Sequence, residues 1–210
     1  MALPNLATVA DLEAYAQRGP LDAVAAELAL RISSAAIRRY TRQTITFVEN
    51  ETVVLEGGER VLKLPQRPVV VDASHPLTVV EILASGVEAP AVEGRDFIRY
   101  GSELRRGYPW YEPTRTMGWP WNRPLGIWAD QVRAVYSHGF QLQDVPDDII
   151  GVCLDLASAT LANPNRLRSE QVGGISIVHT VETFGTGSLT SDHRKILRPY
   201  RRTTGSVTLR

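Results

Sequence analysis

Leu21–Leu64 reads LDAVAAELALRISSAAIRRYTRQTITFVENETVVLEGGERVLKL, and a change of period inside it decides the fold class. In its first half, Leu21, Val24, Leu28, Ile32 and Ala35 recur at i, i+3 and i+4, the spacing of one apolar helix face. This predicts a helix to about Arg42, with Pro20 at its first position, where a missing N–H costs nothing. From Thr44 the period falls to two. Val53-Val54-Leu55 and Val61-Leu62-Lys63-Leu64 flank Glu56-Gly57-Gly58-Glu59, and a Gly-Gly pair between such runs predicts a β-hairpin.

Working outward, the helix–strand contrast repeats. On the N-terminal side, Thr8-Val9-Ala10-Asp11 reads as a capping box that opens a helix through DLEAYAQR, stopped by Gly19-Pro20. On the C-terminal side, Val69–Val71, Leu77–Leu83, Phe97–Tyr100, Glu103–Arg105 and Gln131–Tyr136 are strand candidates, and Gly101-Ser102 signals a second hairpin. A third helix begins near Pro146, with Asp147 and Asp148 in its first turn, where the helix dipole favours acids. Ile149, Val152, Cys153, Leu156 and Ala159 form its expected buried face, and Asn163-Pro164 ends it. A strand over Ile175–Val181 follows Gly173-Gly174, and a short helix from Ser191 to about Arg198 is capped by Thr190 or Ser191.

The expected class is therefore α+β: a small helical bundle with a C-terminal strand and short helix, carrying an inserted all-β subdomain, barrel-like or sandwich-like. The expected boundaries are 1–43 and 131–202 for the helical core, 44–130 for the β insertion and 203–210 for a tail.

Composition narrows the function classes. The 210 residues carry 23 Lys+Arg and 23 Asp+Glu. That balance argues against a generally basic nucleic-acid binder, whose affinity comes from neutralising phosphates. With 43% hydrophobic and 22% charged residues the chain suits a globular protein rather than a disordered one. The single Cys153 excludes an intrachain disulfide and a multi-cysteine zinc site. The longest uncharged run, Gln171–Val181, has 11 residues, short of the roughly 20 of a membrane helix. The first cationic residue is Arg18, so the N-terminus lacks the basic start of a secretory signal, and a soluble protein is expected.

The charge is unevenly spread. Arg31, Arg38, Arg39 and Arg42 crowd the C-terminal half of the second helix, where the dipole favours cations and where a basic patch could also face a partner. From Ser191 to Arg210 six Lys/Arg stand against one Asp, a local net of +5. All four tryptophans, Trp110, Trp119, Trp121 and Trp128, fall in GYPWYEPTRTMGWPWNRPLGIW (107–128), whose Pro and Gly forbid regular structure. Such a loop either folds back over the β core or presents a binding surface, since Trp and Tyr dominate both settings.

No catalytic constellation emerges. His75, His138, His179 and His193 lie far apart with no metal-ligand spacing. Asp72 and His75 belong to a DASHP turn, and Cys153 lies on an apolar helix face, where a free thiol is buried and inert. GxSxG, Walker-A and GxGxxG are missing, and Asp147-Asp148 lacks further ligands for a metal. No enzyme activity, cofactor or metal is expected.

Four segments in order carry a family resemblance: ATVADLEAYAQRGP, ELALRISSAAIRRYTRQ, VPDDIIGVCLDLASATLANP and VGGISIVHTVETFGTGSLTSDHRKILRPYRR. Together they resemble the head–tail connector (adaptor) proteins of long-tailed bacteriophages. The last is the most specific, matching at Gly174, Ile175, Ser176, Ile177, Val178, Leu189, Thr190, Leu197, Tyr200, Arg201 and Arg202. The resemblance covers roughly residues 7–43 and 131–202, whereas block 44–130 departs from the short members, which join these helices more directly. It implies a virion protein without chemistry, forming a homo-oligomeric ring of about twelve subunits with heterologous contacts. Such a ring docks on the portal protein at the capsid vertex, extends the DNA channel and receives the tail or a stopper protein. Genomic DNA would pass without sequence-specific binding, and no membrane is involved.

The C-terminal segment is the expected portal contact, through Ile196, Leu197, Tyr200, Arg201, Arg202, Val207, Leu209 and Arg210; an extended end of this kind can add a strand to a partner's sheet. Arg38, Arg39 and Arg42, with Trp110, Trp119, Trp121 and Trp128, are the expected subunit or partner interface. The alternatives are another neck or tail-terminator ring protein, or a β-barrel module for single-stranded nucleic acid. The latter would stack bases on the aromatics and hold phosphates with Arg99, Arg105, Arg106, Arg115 and Arg123.

Overall fold

The computed structural model describes residues 3–17, 20–83, 86–106, 126–162, 169–172, 175–178, 189–202 and 208–209, with side chains outside 163–188 and 203–210. The chain divides into two compact units: 1–46 with 141–201, and 47–140 with 202–210.

The first unit is helical. α1 (Val9–Ala16) starts from the expected capping box: the Asp11 amide donates to Thr8 Oγ1 (3.1 Å) and the Thr8 amide to the Asp11 carboxylate (2.9 Å). That bonding to Thr8 holds the Asp11 carboxyl below its ordinary range. α2 (Ala23–Thr41) is capped by Asp22, whose side chain accepts from the Val24 amide, so Pro20 lies before the helix rather than at its first position. Arg42, at φ 56°, closes it in the left-handed conformation. α3 (Asp147–Ala162) packs against α1, α2 and α4 (Ser191–Leu197) and is the centre of the unit. β9 (Ser169–Val172) pairs antiparallel with β10 (Ile175–Val178), a partner strand not expected from the sequence. His179–Val181 lie outside the described residues.

The buried face of α2 is not the one its leucine and valine spacing predicts. The inward stripe is Ala26, Ala29, Leu30, Ser33, Ser34, Ala36, Ile37 and Thr41, while Val24 is 77% and Leu28 45% exposed and Ala35 is exposed. Small residues win the inward position because α3 brings the bulky Ile149, Val152 and Leu156 to the same core, and close packing matches small against large. On α3 the expected face is buried at Ile149, Val152, Cys153 and Leu156, with Ala159 half-buried.

The second unit is two open sheets sharing one core, not a closed barrel. One sheet runs β11–β1–β8–β4–β5, with β3 also on β8; the other runs β2–β7–β6. The strands are β1 (Val48–Glu56), β2 (Val61–Lys63), β3 (Val69–Val70), β4 (Thr78–Ile82), β5 (Glu88–Ala91), β6 (Ile98–Tyr100), β7 (Glu103–Arg105), β8 (Gln131–His138) and β11 (Thr208–Leu209). Alternation points Val53 and Leu55 of β1, Val79 of β4 and Val132, Ala134 and Tyr136 of β8 inward, where they meet Leu62, Leu104, Phe97 and Trp128.

Expectations about the first hairpin and about the unit boundary change here. The run 53–55 does not pair with 61–64: β1 pairs with β8 and β11, β2 with β7. The Gly57-Gly58 turn instead passes the chain from one sheet to the other, its amides donating to Asp130 O and Trp128 O. A Cβ on Gly57 would lie 1.8 Å from Ala129 O, and Gly58 sits at φ 84°, so both positions need glycine. The Gly101-Ser102 hairpin forms as expected, with Ile98 opposite Arg105 and Tyr100 opposite Glu103. Finally, the second boundary falls near 140 rather than 130, because Gln131–His138 is the strand between β1 and β4, and tail residues Thr208–Leu209 pair with β1 at Leu55 and Val54.

Candidate functional site

The C-terminal segment is built from the α4 cap outward. The His193 amide donates to Thr190 Oγ1 (3.1 Å) and the Thr190 amide meets His193 Nδ1, a reciprocal cap. His193 Nε2 lies 2.8 Å from Asp155 Oδ2 on α3, and Tyr15 of α1 donates to the other oxygen of that carboxylate. The Tyr40 hydroxyl donates to Arg194 O, and the Arg201 guanidinium lies over the Tyr40 ring, 5.4 Å from its centroid. Burial first, and the nearby Asp148 carboxylate second, push the Tyr200 phenol above the ordinary range. Two helices, α2 and α3, therefore fasten the segment, and α1 braces the Asp155 carboxylate that holds it.

This sorts the expected portal-contact residues. Leu197 is fully buried in the helical unit, since the short amphipathic α4 has to bury one side chain to dock at all, so it is a core residue and no contact. Ile196 is 42% exposed, surrounded in sequence by exposed Arg194, Lys195 and Arg198, and Arg201 is exposed as well. Tyr200 and Arg202 are half-buried; the side chains of Val207, Leu209 and Arg210 lie outside the described residues.

The arginines of α2 separate in the same way. Arg38 is a structural brace: its Nε donates to Thr44 O (2.9 Å) and its terminal nitrogen to Pro4 O. Arg39 and Arg42 are exposed, as is Arg31, eight residues before Arg39 on the same side of the helix.

In the β unit, β4 turns Glu81 inward beside Val79, a charged residue on a core face. Its partner is Arg106, with contacts of 2.5 and 2.9 Å to the two carboxylate oxygens; both side chains are 1% exposed. The Arg106 guanidinium also stacks on Trp128, 4.0 Å from the ring centroid, and Glu81 Oε1 accepts from the Ala129 amide. Trp128 is 1% exposed and donates to Leu104 O, so it is core rather than interface: its indole needs a buried acceptor and finds one across the sheet. This cluster joins both flanks of the Trp/Pro-rich stretch; Trp110, Trp119 and Trp121 lie outside the described residues. The phosphate-binding set loses Arg106 to Glu81 and has Arg105 paired with Glu103 and Arg99 with Glu93, while Arg115 and Arg123 lie outside the described residues. The sequence carried a signal for Glu81: the Thr78–Ile82 alternation places an acid on the Val79 face, which demands a buried cation.

The titratable groups otherwise serve the fold. The Asp72 carboxylate accepts from the Ser74 and His75 amides and from the His75 ring, as expected of a turn. Cys153 is buried beside Ser34, 3.6 Å away, and burial raises its thiol above the ordinary range. Among the described residues, no group of three His, Cys, Asp or Glu could hold a metal ion, and no helix is long and apolar enough to cross a membrane.

The class of molecule is thus a helical unit with an inserted two-sheet unit and a fastened basic C-terminal helix. The same architecture occurs in a chain from the neck of an empty GTA particle computed with C6 symmetry (18% identity, TM-score 0.51, covering 98% of this chain and 94% of that one). It occurs again in the virion of a native gene transfer agent (GTA) particle (16% identity, TM-score 0.51, covering 97% and 91%). No family model matches the chain, and neither does any curated protein sequence.

Proposed function

We propose that this chain is a structural protein of the neck of a virion or virion-like particle: a head–tail connector (adaptor) that sits on the portal at the capsid vertex. It extends the DNA channel and joins it to the tail or a stopper protein. The observation that carries this is the end-to-end likeness of fold to a GTA neck chain, which includes the β unit as well as the helical segments with connector-like sequence. The reading needs no catalytic group. Balanced charge suits a channel through which DNA slides without being gripped. The subunits form a closed ring, of about twelve copies, through heterologous contacts.

The test is the mass of the assembly, by native mass spectrometry, with and without the portal protein of the same particle. A ring of about a dozen subunits, free or on the portal, is the expected result. A chain that stays monomeric and unbound with the portal present overturns the reading.

The C-terminal segment supplies portal attachment in this proposal. Its support is the exposed Ile196 among Arg194, Lys195, Arg198 and Arg201; Thr208–Leu209, paired with β1 within this chain, exchange that edge for a partner's in this reading. Deleting Thr203–Arg210 should abolish portal binding and leave ring formation intact. Trp110, Trp119 and Trp121 contact a neighbouring subunit or the surrounding capsid and tail components, so tryptophan emission should blue-shift on assembly. Trp128, already buried, supplies the constant background.

A further inference from the structure

Resting on the ring reading above, we propose that neighbouring subunits meet through two faces of the helical unit: the outward stripe of α2 on one copy, and the acidic turn that opens α3 on the next. The occupant of each face is a second copy of this chain.

Val24, at 77% exposure, and Leu28, at 45%, stand on the side of α2 away from its core stripe. The same side continues through exposed Arg31, Arg39 and Arg42, and among the described residues none of the three pairs with an acid. A 19-residue helix with apolar residues on two opposite sides has a partner for each; α3 covers only the inner one.

The complementary face lies on the same unit. Leu142, in the short 3₁₀ turn Leu142–Asp144, is 54% exposed, and Asp144 and Asp147 beside it are exposed and likewise unpaired among the described residues. Both faces thus combine exposed apolar side chains with charges of one sign, and the signs are opposite. Two different, complementary patches are what a heterologous contact requires, and repetition of such a contact closes a ring. The exposed apolar half of the α2 stripe also disfavours a nucleic-acid backbone as the occupant.

The test uses the full chain carrying Leu28→Cys and Leu142→Cys together, oxidised and run on a denaturing gel; the native Cys153 is buried and silent. The expected result is a ladder of disulfide-linked multimers, whereas each single-cysteine variant stops at dimers. In parallel, Arg31→Glu with Arg39→Glu should raise the concentration for half-assembly roughly tenfold or more, since like charges then face each other. Adding Asp144→Lys and Asp147→Lys to that pair should restore assembly. All four positions are exposed, and circular dichroism checks that each variant is folded. A wild-type chain that assembles by native mass, with no ladder and no effect of the Arg variants, overturns this pairing and leaves the neck reading standing. A chain that neither assembles nor cross-links, even with portal protein present, overturns both.

Discussion

The two units solve the same problem, a small core, in opposite ways. The β unit gathers large side chains from both sheets, Leu55, Leu104, Phe97, Trp128 and Tyr136 among them, and adds one buried ion pair, Glu81–Arg106. The helical unit packs α2 through alanine and serine and turns Val24 and Leu28 outward. Its polar ties, Arg38 to backbone carbonyls and Tyr15–Asp155–His193, lie toward the periphery. The difference teaches where each unit keeps its binding capacity. Among its described residues the β unit buries most of its large apolar groups, with Val87, Val92 and Tyr100 left at the surface. The helical unit leaves Val24 and Leu28 together on one outer helix stripe, the surface proposed above for contact with a second copy.

The sharpest way to break this comparison is at the ion pair. Arg106→Ala leaves the Glu81 carboxylate buried with one cation removed, and should destabilise the chain by about 3–5 kcal/mol in urea unfolding. Replacing both partners with apolar residues of similar volume, Arg106→Met with Glu81→Leu, should recover most of that loss, because no buried charge is then left alone. A single variant as mild as a surface substitution would show that the pair is not a buried element of the β unit.

In the helical unit the matching probe is smaller. Ser34→Ala removes the hydroxyl that accepts from the Leu6 amide (3.0 Å) where α2 meets α3, leaving a buried N–H unpaired. The expected loss is about 1–3 kcal/mol by the same measurement. A loss equal to that of Arg106→Ala would erase the contrast between a charge-anchored and a small-residue core.

A third probe returns to the β unit. The Tyr136 hydroxyl accepts from the Gln66 amide, and burial pushes its phenol well above the ordinary value. A raised folded-state pKa contributes stability that is complete below the unfolded value of about 10 and is lost as pH rises through the folded one. Wild-type stability should therefore fall above about pH 10. Tyr136→Phe should cost about 1 kcal/mol at neutral pH, for the lost hydrogen bond, and flatten the alkaline fall. Tyr15 and Tyr200, raised by burial and by Asp155 and Asp148, keep part of that slope, which limits the flattening.

Much of this architecture was legible in the residues. The Thr8 and Thr190 caps, the Gly101-Ser102 hairpin and the α3 core face each depend on neighbours within a few positions, and each formed as read. What misled were features decided at long range. The Gly57-Gly58 turn looks like a hairpin until the strand 131–138, some eighty residues later, takes the place beside β1. Likewise α2 carries two apolar stripes, and only the arrival of α3 selects the alanine–serine one. Arg106 and Trp128 read as surface groups because the Glu81 that buries them lies on another strand. Exposure sorts the expected contacts: Ile196, Arg201, Arg39 and Arg42 are on the surface and remain proposals, whereas Leu197, Trp128 and Arg38 hold the fold.

The smallest expected effect on stability is the most telling for the comparison. Val24→Ser with Leu28→Ser removes two large apolar side chains from a helix, which in a core would cost several kcal/mol. Here both project from the outer stripe of α2, so the fold loses only helix propensity, a few tenths of a kcal/mol per position. Urea unfolding of the isolated chain should shift by less than about 1 kcal/mol, while assembly measured by native mass is lost. The two readouts separate because burial of these side chains occurs only between molecules. If unfolding shifted as much as for Ser34→Ala, the side chains would already be buried within the subunit and the outer stripe would be ordinary core. If neither readout moved, the helical unit would hold no apolar surface in reserve, and its difference from the β unit would be one of size alone.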